Sequence, residues 1–230
     1  MTSIRRPRLV HQDRLDYVRL VELRQPVLEG PTITLRPLAI SDAPALAAAA
    51  AASREHYVYT RVPDGVQQAE SYIAAALRDR DDGHRMPFVT LWRDRVVGST
   101  SYLDIQQWRW PAGSSLQRTD RPDAVEIGAT WLSHSAQRTR CNTEAKLLML
   151  GHAFDVWEVH RVALKTDARN ARSRRAIERL GARLDGVRRG DMPGQDGSVR
   201  SSAYYSIVRA EWPAVREKLQ DALARQPWST

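Results

Sequence analysis

Glu126-Ile127-Gly128-Ala129-Thr130-Trp131-Leu132, Ser133-His134-Ser135-Ala136 and Gln137-Arg138-Thr139-Arg140-Cys141-Asn142-Thr143-Glu144-Ala145 follow one another without a break and decide the fold. The first seven residues read as the end of a strand over 124–132, the next four as a short turn. The remainder is a basic polar loop that opens directly into a helix. That helix, 142–157, has the clearest helical pattern in the chain, with Ala145, Leu148, Met149, His152, Ala153 and Val156 along one side. The first N–H groups of a helix have no intrahelical partner, and the helix dipole adds positive potential there. Such a terminus, with Arg138 and Arg140 beside it, suits phosphate or another anion. The plainer alternative is a capped helix with solvated arginines.

Upstream, 32–38 alternates as a strand does. Ser41-Asp42 reads as a helix cap, with Pro44 in the first turn of an alanine-rich helix to about 52. A second helix over 66–81 carries Ala69, Tyr72, Ile73, Ala76 and Leu77 on one face, and strands at 87–92 and 96–105 are joined by Arg93-Asp94-Arg95. The segment 106–123 is polar, holds Pro111, Gly113, Pro122, Trp108 and Trp110, and is too long for a hairpin turn. Downstream come a strand at 161–165, a helix at 171–180 closed by Gly181, strands at 182–189 and 199–208, and a helix at 212–225. The order β-α-α-β-β-β-α-β-α-β-β plus a final helix predicts an α/β (α+β) domain, a mixed sheet with helices on both faces. Residues 11–24 fit helical and alternating spacing equally. The expected organisation is an extension over 1–29, a main domain over 30–212 with 106–123 inserted, and a helix and tail over 213–230.

The 230 residues are 42% hydrophobic and 27% charged, which excludes collagen-like and wholly disordered chains. No run approaches the ~20 apolar residues of a membrane span. The basic start, 1–14, has no apolar segment behind it, arguing against a secretory signal. Cys141 is the single cysteine, so an internal disulfide and a multi-cysteine zinc site are excluded. The expected compartment is the cytoplasm. Net charge is +8, yet only Lys146, Lys165 and Lys218 are lysines, an arginine bias in keeping with a GC-rich coding sequence. Ten basic and three acidic residues lie between 161 and 190. This concentration favours a compact anionic ligand over a nucleic-acid track, which would call for interleaved aromatics.

Three segments resemble the GNAT superfamily of N-acetyltransferases, in its RimJ/RimL-like branch: 30–40 with Leu35-Arg36-Pro37-Leu38, 125–145, and 165–182 with its Asn-x-x-Ser helix start and Leu-Gly-Ala ending. The resemblance covers most of 30–212. It implies a mostly antiparallel sheet in which 124–132 splays from 161–165, with acetyl-CoA or another acyl-CoA in the gap and no metal. Backbone groups of Trp131, Leu132 and Ser133 would hold pantetheine. The loop Gln137, Arg138, Thr139, Arg140, Cys141, Asn142 and Thr143 would hold the pyrophosphate. Asn170 and Ser173 would reach the pantetheine arm and the sulfur. The superfamily loop has glycine where Arg140 stands and glycine or alanine where Asn142 stands, so Arg140 either points outward or narrows the loop. Many members have a tyrosine at the position of Ile177.

The implied reaction is acyl transfer to a primary amine by direct attack in a ternary complex. Glu126 is the candidate general base, Ser173 a donor to the leaving thiolate, and Tyr205 an acid whose competing reading is a core aromatic. Cys141 has no His/Asp pattern around it that would make it a nucleophile. His56, Tyr57 and Tyr59 fall where the superfamily often binds acceptor; they could equally pack on the core. The acceptor class spans protein N-termini and small molecules. Trp108 and Trp110 are read as exposed loop aromatics that contact a second copy of the chain, the alternatives being a cover over the acceptor cleft and packing on their own domain. The other readings are a non-catalytic module that binds CoA or a protein, and a basic nucleic-acid binder.

Overall fold

The computed structural model describes residues 23–225; most of the ambiguous 11–24 segment and the 226–230 tail lie outside it. Eight strands form one sheet in the order β1-β2-β3-β4-β5-β6-β8-β7. They are β1 (Leu28–Glu29), β2 (Ile33–Pro37), β3 (Arg85–Trp92), β4 (Arg95–Gln106), β5 (Ala124–Leu132), β6 (Arg161–Asp167), β7 (Arg183–Pro193) and β8 (Val199–Val208). The helices are α1 (Ala43–Ala51), α2 (Gly65–Asp81), α3 (Cys141–Gly151, continued by a π-turn over His152–Val156), α4 (Ala171–Leu180) and α5 (Trp212–Arg225). Every pairing is antiparallel except β5 with β6. The expected element order and mixed sheet are both present. The two-residue edge strand β1 is an addition, too short for alternation to reveal.

The sheet separates two apolar layers. On one face α3, α4 and α5 bury Met149, Leu150, Ile177, Leu180, Trp212 and Leu219 against Ile33, Leu35, Phe88, Tyr102, Val125, Ile127, Val162, Leu164 and Tyr205. On the other, α1 and α2 pack Leu46, Ala50, Ala69 and Ile73 with Val89 and Trp131. Ile127 and Trp131 lie four residues apart on one strand yet belong to different layers. A β-bulge is the reason. β4 pairs Ser101 with Gly128 and Ser99 with Trp131, so Ala129 and Thr130 together oppose Thr100 alone. Ala129 takes a φ of 46° there, and the extra residue reverses the facing of the residues after it.

The local signals behave as their chemistry requires. Arg93 and Asp94 both have positive φ, the geometry of a two-residue hairpin turn between β3 and β4. Gly181 ends α4 at φ 101°, a left-handed cap that costs glycine little. Asp42 precedes α1 but does not cap it with its side chain. Its carboxylate is taken by Arg36 and the Ala39 amide instead.

The 107–123 loop corrects the reading of exposed tryptophans. Trp108 stacks on His160 with ring centres 5.5 Å apart, and Trp110 meets the same ring edge-on at 5.5 Å. The fully buried Asp123 accepts from the Trp108 amide and from Trp110 Nε1. Arg118 and Arg121 both bind Glu158. The loop is thus fastened to the turn before β6, and both rings are half-buried on their own domain. Trp108→Ala should therefore lower unfolding stability by about 2–3 kcal/mol, read from urea denaturation, with no change of mass in light scattering.

Candidate active site

The site begins where β5 and β6 part. They pair as Ala124↔Arg161, Val125↔Val162 and Glu126↔Ala163, and no further. Beyond that point β5 stays on β4, as far as Gly98↔Leu132, while β6 stays on β8 through Asp167↔Ser202. The wedge between them has its closed end at Glu126 and its open end at the α3 and α4 N-termini.

Glu126 is almost fully buried on the sheet face opposite α3, and its Oε2 lies 3.2 Å from Lys165 Nζ. Desolvation pushes the carboxyl above its ordinary range, and the Lys165 ammonium pulls it back only in part. Lys165 sits beside Tyr204, its cross-strand partner, with Nζ 5.7 Å from the ring centre. Tyr204 in turn bonds Asp191 and Arg188. The sequence reading missed Lys165 and Tyr204 as members of the site. Two residues on from Ala163, Lys165 shares Glu126's face, which alternation yields only once the β5–β6 register is known.

Tyr205 is on the other face. It pairs with Leu164, is fully buried, accepts from Arg174 Nε and donates to Glu178 Oε1. The structure therefore does not bring Tyr205 to Glu126; the core-aromatic reading fits its place. Ser173 is half-buried in the first turn of α4, and its hydroxyl makes no hydrogen bond among the described residues. Asn170 caps that helix, its Oδ1 accepting the Ser173 amide. Ile177 lies in the core.

At the open end, the last residues of β5 are more occupied than expected. The Ser133 amide donates to Val97 O, and its carbonyl accepts from Ala136 and Gln137. Ser133 thus has no backbone group left for a ligand, contrary to the expectation from sequence. Leu132 O, on the opposite edge of the strand, accepts from Tyr57 Oη at 2.9 Å and Gln137 Nε2 at 2.9 Å. Arg172 of α4 reaches across to Gln137 Oε1 and to His56 O. His56 stacks on His134 at 5.9 Å, and Tyr59 lies under Arg169. The α1–α2 connection therefore borders the mouth of the wedge, although the Tyr57 ring itself packs edge-on against Trp131 in the core.

The loop before α3 presents donors. Thr139 Oγ1 accepts the Cys141 amide, and the Glu144 amide returns to Arg140 O. The amides of Asn142 and Thr143 have no acceptor among the described residues. Exposed Arg138 and Arg172 supply charge; desolvation first, and the nearby Arg138 second, lower the basicity of Arg172. Arg140 resolves the two alternatives by taking neither. It points inward, with Nε 3.8 Å from Glu144 Oε2. Glu144 is buried and accepts from the Thr32 amide, the Thr32 hydroxyl and the Ile33 amide, tying α3 to the β1–β2 turn. Arg140 has a helical φ of −67°, and Asn142 is already in the helix, so neither position needs glycine for its conformation. The left-handed residue of the loop is Arg138, at φ 60°. Cys141 is buried, and burial pushes its thiol up to about 11, far from a nucleophilic thiolate at neutral pH.

Residues 32–183 match the family of the acetyltransferase (GNAT) domain. The chain therefore belongs to the GNAT acetyltransferases, and its chemistry is that of acyl transfer. Among solved structures, a candidate acetyltransferase from T. thermophilus is 30% identical, covers 86% of this chain and 96% of its own, and superposes with a TM-score of 0.70. A GCN5-related N-acetyltransferase from Brucella melitensis, 24% identical over 87% and 86% of the two chains, has a TM-score of 0.74 and shares the fold. Mycobacterium smegmatis RimJ in complex with a CoA-disulfide, 21% identical over 89% and 96%, shares it at 0.69. A search of curated proteins finds no match. Among the described residues no helix is long and apolar enough to cross a membrane.

Arg140→Gly removes the cation from a buried carboxylate. It should lower unfolding stability by about 1–3 kcal/mol in urea titration, although glycine is acceptable to the loop backbone.

Proposed function

We propose that the protein is an N-acetyltransferase that moves an acetyl or other acyl group from acyl-CoA to a primary amine by direct attack. The observation that carries this reading is the wedge between β5 and β6, with a buried carboxylate at its closed end and a cationic, amide-bearing loop at its open end. The donor set fits a pyrophosphate: the Asn142 and Thr143 amides at a helix N-terminus, with Arg138 and Arg172 beside them. The edge of β5 that β6 leaves fits an extended, amide-containing arm, with Ser133 removed from the expected contacts and the Leu132 carbonyl already engaged by Tyr57 and Gln137. RimJ, crystallised with a CoA-disulfide, adds support for the cofactor class.

The thioester of acyl-CoA supplies an activated acyl group. The chain's own task is to take a proton and to shield the reacting atoms from water. An ammonium acceptor must be deprotonated before it can attack. Glu126 is placed to take that proton, and its raised pKa makes it a better base than a solvated carboxylate. Lys165 holds Glu126 oriented and opposes the rise that burial causes. Ser173, at the α4 start, is the remaining hydroxyl for the departing thiolate. The reading leaves the acceptor as a protein N-terminus or a small molecule, and the compartment as cytoplasmic. The Lys165–Glu126 contact also favours a second reading, a CoA- or protein-binding module whose base is neutralised.

CoA at a hundred times its dissociation constant should stabilise the fold by about 2.7 kcal/mol, seen as a higher melting temperature. Arg138→Ala should weaken CoA about ten-fold or more. No shift at millimolar CoA contradicts the reading. Glu126→Gln should lower kcat about 10²–10⁴-fold with unchanged CoA affinity. Because burial raises the Glu126 pKa, the wild-type rate should climb with pH at values above the ordinary carboxylate range. The Gln variant should lose that acidic limb. Full activity in the variant would move the base elsewhere, and no turnover of any amine by wild type would favour the binding module.

A further inference from the structure

Lys146 is a group that the proposed chemistry leaves unused. It lies on α3, buried, and makes no ion pair among the described residues. Its Nζ donates to Thr130 Oγ1 at 2.7 Å and to Thr100 Oγ1 at 3.0 Å, and the two hydroxyls are 2.8 Å from each other. These three groups form a closed triangle. Both hydroxyls also point to Gly128 O, at 3.3 Å from Thr130 and 3.5 Å from Thr100.

The triangle sits on the bulge. Ala129 and Thr130 are the two residues that oppose Thr100, so the ladder between β4 and β5 is interrupted there. The same stretch of β5 has already lost β6, since that pairing ends at Glu126. Ala129 and Thr130 therefore lack regular strand partners on both edges, and they are exposed and half-exposed. A segment so placed would fray unless side chains replaced the missing ladder bonds. An uncompensated buried ammonium is costly, and burial drives this one down to about 7. A buried methionine could fill such a space without that cost, so the polar contacts are what the lysine adds.

We propose that Lys146 is a positioning residue for acyl transfer: it clamps Thr100 and Thr130 and thereby fixes the bulge of β5 as the backbone edge against which the acyl end of the thioester lies. The inference rests on the acyl-CoA reading above. An arm that enters at Asn142 and runs along the wedge toward Glu126 must pass residues 132 to 128, and the reacting end falls at the bulge. Lys146 would touch neither substrate. It would act through Thr130.

The test uses the full chain and two kinds of readout. In Lys146→Met, hydrogen exchange of amides 128–131 in the ligand-free protein should quicken at least ten-fold. The urea midpoint should not fall, because a buried charge has been removed. Turnover with acetyl-CoA should drop at least ten-fold while CoA affinity, set at the pyrophosphate end, stays within two-fold. Thr130→Val should reproduce both local effects and Thr130→Ser should restore them, which keeps the test decisive if Lys146→Met does not fold. Unchanged exchange and turnover in a folded Lys146→Met or Thr130→Val overturns the proposal. So does a uniform loss of stability and CoA affinity, which would make Lys146 a packing residue only. Failure of wild type to bind CoA would sink the acyl-CoA reading and this role with it, whatever the exchange shows.

Discussion

A strand between two neighbours can leave one of them only if something else takes over its edge. β5 leaves β6 after Glu126 and keeps β4 by way of a bulge at Ala129–Thr130. The rest of the architecture depends on that parting. It opens the wedge, sets α3 and α4 on its two lips, buries Glu126 at its apex, and turns Trp131 into the α1–α2 layer while Ile127 stays with α3. The bulge is held by a Lys146–Thr100–Thr130 triangle, and the loop beyond it by Glu144, which gathers the β1–β2 turn and Arg140 into one buried polar knot.

Much of this was legible because local chemistry agreed with tertiary context. The β5 strand, α4 with its Asn170 start and Gly181 stop, and α5 all fall where pattern and caps place them. The features that were not legible depend on contacts between distant residues. Arg140 reads from sequence as a loop arginine beside an anion site; only Glu144, held by Thr32 and Ile33 more than a hundred residues away, turns it inward. Trp108 and Trp110 look unpartnered until His160 and Asp123 are brought beneath them.

The bulge is also hidden from the sequence. Alternation would keep Ile127, Ala129 and Trp131 on one face, and one extra residue breaks that parity. The backbone contacts expected from Ser133 fail for the same class of reason, since its amide is turned to Val97 and away from the wedge. For Tyr205, adjacency was the difficulty: Tyr204 and Tyr205 are neighbours in sequence and opposites in the sheet, and the one that shares a face with Glu126 is Tyr204.

The central claim is that an acyl-CoA occupies the wedge between β5 and β6. Amide chemical shifts recorded during a titration with CoA test it most directly. The account predicts the largest changes at Asn142 and Thr143, continuing along 128–132 toward Glu126, with little change at the β1–α3–α5 face. Shifts confined to that face, or none along β5 and the α3 start, would contradict it.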